Sequence, residues 1–330
     1  MPLFLRVVLL AAALAAATSA AKAQAPSLDG LVSAVVGIKT TLINPDARTA
    51  GNLGTERIGS GIVIDDKGLI LTIGYLIVEA DGAEVTMRDG RTVPASIVGY
   101  DHETGFGLLR TIVPVTARPM PLGASAQLKK GDPLLVASTG GTAMILPVHV
   151  AAVREFAGSW EYLLDKAIFT QPPHPAWSGA ALISRDGKLV GVGSLIIGDP
   201  AGEGADVTGN MFVPIDGLPP ILGDLVAHGR VTKPARPWLG LGAQDSEAGL
   251  RVNRVTAGGP AEKAGVRKGD LIVGVAGVAP KNLADFYRKV WARGSAGATV
   301  PLDVLQDDRR RRIEVPSMNR LDHLRLKATY

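Results

Sequence analysis

The sequence predicts a mainly β protein: an all-β barrel or sandwich over residues 57–215, followed by a compact mixed α/β domain that starts at Trp238. Three observations carry that expectation. Apolar runs of five to eight residues are separated by turn dipeptides such as Lys67-Gly68, Asp81-Gly82, Asp89-Gly90 and Asp186-Gly187, the spacing of antiparallel hairpins. Helical periodicity is scarce before Pro219. After Trp238, short strands surround a segment whose apolar residues recur at helical spacing. With 40 Gly and 22 Pro among 330 residues, the chain suits about two turn-rich domains, each long enough to bury a core.

At the N-terminus, Arg6 precedes an apolar stretch from Val7 to Ala17 and the small-residue site Ala21-Lys22-Ala23. That order is a secretory signal, so residues 1–23 are expected to be cut off after Ala23 and the chain exported to a bacterial periplasm. The alternative is an uncleaved anchor, because Leu3 to Ala21 nearly reaches spanning length if Arg6 snorkels. No other segment approaches transmembrane length, so no membrane span is expected once the signal is removed.

Residues 24–56 are read as an N-terminal segment and 57–217 as the β domain, with strand runs at Ile62–Ile64, Leu69–Val78, Glu84–Met87, Pro133–Ser138, Ala180–Ile183 and Leu189–Ile197. Residues 218–237 hold a short helix, Pro219 to His228, with Pro at its start and Gly229 as its stop, then a Pro-containing basic linker. The second domain is 238–317 and the tail 318–330. Its strands are Leu250–Val255, Leu271–Val275, Thr299–Gln306 and Arg311–Val315. Its helix, Asn282 to Arg293, lines up Leu283, Phe286, Tyr287, Val290 and Trp291 on one face, with Asn282 as N-cap and Gly294 as stop. The Arg309–Arg312 run after Asp307-Asp308 reads as a turn and an exposed strand face, or as a patch for an acidic partner.

Charge separates the two parts. Residues 24–232 carry 15 basic and 21 acidic side chains, a net −6, whereas 233–330 carry 18 and 10, a net +8. The contrast marks a boundary near Lys233 and allows attraction between the halves or toward acidic partners. The whole-chain net of +4 gives no footing for nucleic-acid binding. Zero Cys excludes disulfides, thiolate metal sites and a cysteine nucleophile, and the five His lack metal-ligand spacing, so neither metal nor cofactor is expected.

Trp238-Leu239-Gly240-Leu241, followed by Gly258-Gly259-Pro260-Ala261-Glu262-Lys263-Ala264-Gly265 and Lys268-Gly269-Asp270-Leu271-Ile272, resembles a bacterial PDZ domain. The resemblance implies a peptide groove between a strand and a helix, in which backbone N–H groups around Leu239 and Gly240 meet a C-terminal carboxylate and the next strand pairs with the peptide. Trp238, Leu239, Gly240, Leu241, Phe286 and Val290 are the expected peptide-binding residues; the bland reading of the apolar ones is ordinary core.

An exported β domain ahead of a PDZ domain resembles the HtrA/Deg family of trypsin-like serine proteases, which implies a trypsin-like double β-barrel. Ile58-Gly59-Ser60-Gly61-Ile62-Val63-Ile64, Gly68-Leu69-Ile70-Leu71-Thr72, Asp89-Gly90-Arg91, Lys130-Gly131-Asp132 and Ser178-Gly179 through Gly187-Lys188-Leu189-Val190-Gly191 carry the match in order. The chemistry-bearing motifs depart from it. Where the family has its general-base His after Leu-Thr, Leu71-Thr72 is followed by Ile73-Gly74-Tyr75. Where its Asp follows a Thr, Thr104 is followed by Gly105. Ser178 keeps the nucleophile position, but Ala176 replaces the Gly whose N–H helps form the oxyanion hole, and bulky Trp177 stands beside it.

A serine hydroxyl without a base loses roughly four to six orders of magnitude in turnover, and tyrosine, which ordinarily ionises only near about pH 10, is no base at neutral pH. The expected function is therefore an exported pseudoprotease: a scaffold or chaperone-like binder of peptide C-termini or unfolded envelope proteins. Trp177 and Tyr75 are expected to hold extended chains in the cleft. One alternative is a serine endopeptidase of low activity that pairs Ser178 with an unconventional base, His174 or His102, both otherwise read as loop or surface residues; Lys188 lies across a hairpin and is no candidate. Another is an adaptor that presents misfolded proteins to a separate protease. The family commonly trimerises through an N-terminal segment; residues 27–56 hold no aromatic residue, so an oligomer is possible but unsupported.

Overall fold

The computed structural model describes residues 28–41, 44 and 46–326. The expected signal, 1–23, and the last four residues of the expected tail lie outside the described residues. Six strands close a first barrel in the order β1-β2-β3-β6-β5-β4: β1 (Val35–Thr41), β2 (Glu56–Val63), β3 (Leu69–Ile73), β4 (Gly82–Thr86), β5 (Thr92–Tyr100) and β6 (Phe106–Thr111). Short helices α1 (Leu28–Val32) and α2 (Ala50–Leu53) flank β1. Six more strands close a second barrel in the order β10-β11-β12-β9-β8-β7: β7 (Pro133–Ala137), β8 (Ile145–Gly158), β9 (Tyr162–Gln171), β10 (Ala181–Ile183), β11 (Leu189–Gly198) and β12 (Thr208–Pro214). The double barrel is the architecture the resemblance implied.

The first barrel starts at Val35, inside the segment assigned to a separate N-terminal region, and this corrects residue 57 as its beginning. β1 pairs with β2 from Val35↔Ile62 to Thr41↔Glu56 and with β4 from Gly37↔Thr86 to Thr41↔Gly82. Without it two sheet edges would be left unpaired. The apolar core of the first barrel continues across to Ala181, Ile183, Val192 and Val213 of the second, so the barrels share one buried seam, and the cleft runs along it.

Helix α3 (Pro219–His228) ends on Gly229 in the left-handed region at φ 71°, as its sequence predicts. A five-stranded sheet follows in the order β13-β14-β15-β16-β17: β13 (Leu241–Ser246), β14 (Gly249–Val255), β15 (Leu271–Val275), β16 (Thr299–Gln306) and β17 (Arg309–Pro316). Helix α4 (Pro260–Ala264) lies between β14 and β15, and α5 (Leu283–Trp291) between β15 and β16. Asn282 caps α5 by accepting from Asp285 N at 2.9 Å; the helix stops at Trp291 with Ala292, not Gly294, as C-cap. Arg309–Arg312 lie exposed on edge strand β17.

Residues 318–326 are not a loose tail. Met318 pairs with Trp238, Asn319 caps helix α6 (Arg320–His323), and Arg325 N donates to Glu79 Oε1 on the first barrel at 2.7 Å. The chain end is thereby fastened to both domains. No helix among the described residues is long and apolar enough to cross a membrane.

Phe212 is wholly buried in the second barrel, whereas Ile112 is 67% exposed. Truncation at Phe212 removes buried area and leaves a void, so Phe212→Ala is expected to cost about 3–5 kcal/mol in urea unfolding, against about 0.5 kcal/mol or less for Ile112→Ala.

Candidate functional site

Tyr75 lies on the 3-10 turn Gly74–Leu76 that follows β3, and Ser178 on the loop before β10; the barrel seam brings them together across 103 residues of sequence. Tyr75 Oη stands 2.9 Å from Ser178 Oγ and 2.8 Å from the carbonyl oxygen of Ser194. That carbonyl faces the cleft because β11 slips register against β12 between Gly193 and Leu195, a bulge that takes Ser194 out of the ladder. Ser178 itself is positioned through its backbone, its carbonyl accepting from Ser60 N at 2.8 Å. Its neighbour Gly179 sits at φ 72°, where a Cβ would lie 1.9 Å from Ser60 O, so only glycine fits.

The phenol has one proton and two oxygen neighbours. A carbonyl only accepts, so when Tyr75 donates to Ser194 O, the serine hydroxyl is left donating to a neutral phenol oxygen; when Tyr75 donates to Ser178, a serine lone pair is engaged. Neither arrangement draws the proton off Ser178. Burial pushes the Tyr75 hydroxyl up to about 12, with its contacts to Ser178 and Trp177 pulling weakly the other way. The group is therefore a neutral phenol throughout the physiological range.

No carboxylate stands behind it among the described residues. Gly105 lies just before β6 at φ 87°, and a Cβ there would come within 3.0 Å of the Tyr162 hydroxyl. Tyr162 donates to Thr104 O at 2.6 Å and occupies the space beside Gly105. The neighbouring Asp101 accepts from Thr104 N and Oγ1 at 2.8 and 2.7 Å, closing its own turn. Ala176 N donates to His174 Nδ1 at 3.1 Å, so the expected oxyanion donor is engaged inside its own loop.

His174 is buried, not a plain loop residue: Nδ1 accepts from Ala176 and Nε2 lies 3.2 Å from Met144 O, leaving neither nitrogen for Ser178. Burial holds its pKa below the ordinary value. His102, expected at the surface, is half-buried against Tyr100 and lines the cleft cavity without a hydrogen bond to Ser178. Burial, and then the Arg320 charge, lower its pKa to about 3, so it is neutral. Lys188 pairs with Asp186 at 2.7 Å.

The cleft is a cavity of about 800 Å³ whose walls include Tyr75, Tyr100, Tyr162, Trp177 and Ser178. Its roof comes from elsewhere: Ser159 and Trp160 at the tip of the β8–β9 hairpin, Asn253 and Arg254 on β14, and Arg320. Arg320 donates to Trp160 O at 3.0 Å.

The predicted peptide-binding loop lies against the same hairpin. The N–H groups of Leu239, Gly240 and Leu241 converge on the Glu161 carboxylate at 2.9, 2.7 and 3.1 Å, with Gly240 at φ 74° turning the backbone toward it. Glu161 is buried, and loss of hydration pushes its carboxyl up to about 7 against the pull of the three N–H groups and Arg320. Leu239, Leu241, Phe286 and Val290 all lie in the domain core, with Ala157 and Leu163 of the hairpin packed on it. The groove expected to be open is thus covered. Trp238 packs its indole against Gly240 of that loop and lies tilted on His323, ring centroids 4.9 Å apart. Sequence reasoning missed Glu161, Tyr162 and Ser194 and read Tyr287 only as part of the helix's apolar face; the one available signal was Ser159-Trp160-Glu161-Tyr162, a hairpin tip rich in large side chains.

Comparison with known proteins matches a trypsin-like peptidase domain over residues 59–192 and a PDZ domain over 237–316. HhoA of Synechocystis sp. is 31% identical over 278 residues, covering 76% of this chain and 68% of that protein. The serine endoprotease DegS of Escherichia coli is 26% identical over 302 residues, covering 86% and 82%. Among solved structures, the HtrA-type protease AlgW with a decapeptide superposes with a TM-score of 0.54 at 22% identity over 91% of this chain and 99% of that one, a likeness of fold.

Burial raises the pKa of Tyr75, Tyr100, Tyr162 and Tyr287 alike. An unfolded chain releases these protons near pH 10, the native chain near 12 for Tyr75. The native state binds more protons in that window, so its stability is complete below pH 10 and declines as pH rises toward 12. Absorbance titration at 295 nm should find these four phenols largely protonated at pH 10 in the native protein and about half ionised there in urea.

Proposed function

The chain belongs to the HtrA/Deg family of trypsin-like serine proteases with a C-terminal PDZ domain, and we propose that it is a non-hydrolytic member, a pseudoprotease that binds polypeptide as a scaffold or chaperone-like adaptor. One observation carries the reading: the side chain on Ser178 Oγ is a neutral tyrosine hydroxyl, which cannot accept the serine proton at pH 7. The Ala176 N–H turned into His174 adds to it, because a tetrahedral intermediate would lose a donor worth about 3–4 kcal/mol.

Peptide binding is supported by the PDZ domain itself and by the peptide-bound structure of the AlgW neighbour. Leu239, Gly240 and Leu241 supply carboxylate-directed N–H groups, while Leu241, Phe286 and Val290 supply apolar surface for the last side chain. Trp177 and Tyr75 would hold an extended segment in the cleft. Export to the periplasm rests on the leader-like residues 1–23.

A second reading is favoured by the relative DegS, a serine endoprotease, and by the retained Ser178: an endopeptidase of low activity. Purified mature protein separates the two. A fluorophosphonate probe and an unfolded protein substrate should give no adduct and no fragments; labelling that Ser178→Ala abolishes would overturn the pseudoprotease reading.

The departures also reinforce one another, so repairing one is insufficient. Tyr75→His alone should leave the probe unreactive, since Gly105 offers no carboxylate and Ala176 no free donor. Labelling by Tyr75→His within hours at pH 7 would show that the base was the sole loss.

A further inference from the structure

Resting on the peptide-binding reading above, we infer that the β8–β9 hairpin is an internal ligand of the PDZ domain: Glu161 occupies the place of a partner's C-terminal carboxylate, and a polypeptide with a free, apolar C-terminus must displace it, which lifts the roof from the cavity over Ser178. The contact has the chemistry of end-group capture. Three consecutive N–H groups, from Leu239, Gly240 and Leu241, point at one carboxylate and leave no donor for a second.

The hairpin tip is shaped for that contact. Glu161 holds φ 59°, a left-handed backbone that a glutamate adopts only where surrounding contacts compensate. Tyr287 on α5 brackets the tip from both sides, its hydroxyl donating to Gly158 O at 2.7 Å and accepting from Glu161 N at 3.1 Å. At the stem Arg288 pairs with Glu155 and, at 2.8 Å, with Asp165. Ala157 and Leu163, cross-strand neighbours in the hairpin, pack on the core that includes Phe286 and Val290. The free edge of β13 is blocked as well: a Cβ on Gly242 would meet Ser159 O at 2.7 Å, so the tip lies directly on the strand that a peptide would extend.

The same tip supplies Ser159 and Trp160 to the cavity roof. Withdrawal of Glu161 therefore acts on two sites at once. By linkage, whatever favours the open hairpin favours access to both, and a peptide on the carboxylate loop makes the aromatic cavity reachable.

The test uses the full mature chain, the variants Glu161→Ala, Glu161→Gln and Tyr287→Phe, and a fluorescent decapeptide ending in free valine with its C-terminal amide as control. Glu161→Ala should bind the free acid about tenfold or more tightly than the unmodified chain, Tyr287→Phe a few-fold, and none should bind the amide. Hydrogen exchange at Leu239, Gly240 and Leu241 reports the latch without any peptide: protection should fall in Glu161→Ala and Glu161→Gln while the β16–β17 amides stay protected, which shows that the domain remains folded. Unchanged protection at those three amides, or equal affinity of Glu161→Ala and the unmodified chain for the free acid, overturns the latch. Lost protection with no peptide bound by any form upholds the latch and overturns the peptide-binding reading instead. Acrylamide quenching of tryptophan that rises on adding peptide to the unmodified chain supports the coupled roof; quenching that stays constant at saturation overturns it.

Discussion

A carboxylate withdrawn from water has to be met by hydrogen bonds on every open side, and Glu161 is met by three from the neighbouring domain. This contact seats the hairpin of the second barrel on the carboxylate loop of the C-terminal domain. Its desolvation is unfavourable, as the upward shift of its carboxyl toward 7 records, and the surrounding hairpin offsets that cost by burying Ala157 and Leu163 and by engaging Tyr287. The opposite net charges of the two halves act in the same direction at longer range, and they have a local counterpart where the acidic stem residues Glu155 and Asp165 meet Arg288. The chain end adds a third tie, with Arg320 on Trp160 and Arg325 on Glu79.

Given that docking, the cleft beneath is half closed, and every polar group in it has to find a partner among few candidates. Tyr75 reaches both Ser178 and the Ser194 carbonyl, which a bulge in β11 has turned inward. Tyr162 fills the space beside Gly105 and bonds to Thr104 O. Ala176 closes on His174, which in turn reaches Met144 and, through its own N–H, Asn210 at 2.6 Å. Apart from the local Ala176–His174 pair, each of these groups is satisfied by a partner 30 or more residues away in sequence. A hydrolytic site of the trypsin type must instead keep donors unpaired and a base exposed until substrate arrives, which costs stability.

Much of this arrangement could be read from the residues. Turn dipeptides located the hairpins, the Pro219 and Gly229 pair bounded a helix, and Asn282 marked an N-cap, because those signals are local and depend on φ or on one side chain. The expectation that Tyr75 and Gly105 stand where the family carries its base and its acid rests on motif position alone. What could not be read depends on contacts distant in sequence. β1 is a short strand whose assignment follows only from the two edges it closes. Glu161 looks like any polar residue at a hairpin tip, and its role comes from a loop 78 residues later. His102 seems exposed beside Asp101 until Tyr100 and the returning Arg320 enclose it. Chain-end packing of residues 318–326 was missed for the same reason: its partners, Glu79 and Trp238, belong to two domains.

An internal ligand also sets what kind of partner can succeed. A tethered carboxylate faces the loop at an effective concentration of roughly millimolar or above, so a free carboxylate offering only charge competes poorly against Glu161. The hairpin is held by more than its carboxylate, however, since Ala157 and Leu163 cover apolar surface of the core that includes Phe286 and Val290. A partner gains over the hairpin through the backbone pairing along β13 that the tip obstructs but does not itself supply. Selectivity then follows from displacement: anions alone leave the latch closed, and only a chain that brings a carboxylate, an apolar last residue and an extended backbone together replaces both of its contacts and adds the strand pairing it lacks. Such selection is made by competition for the loop and needs no cleavage step, so it is compatible with the non-hydrolytic role proposed above.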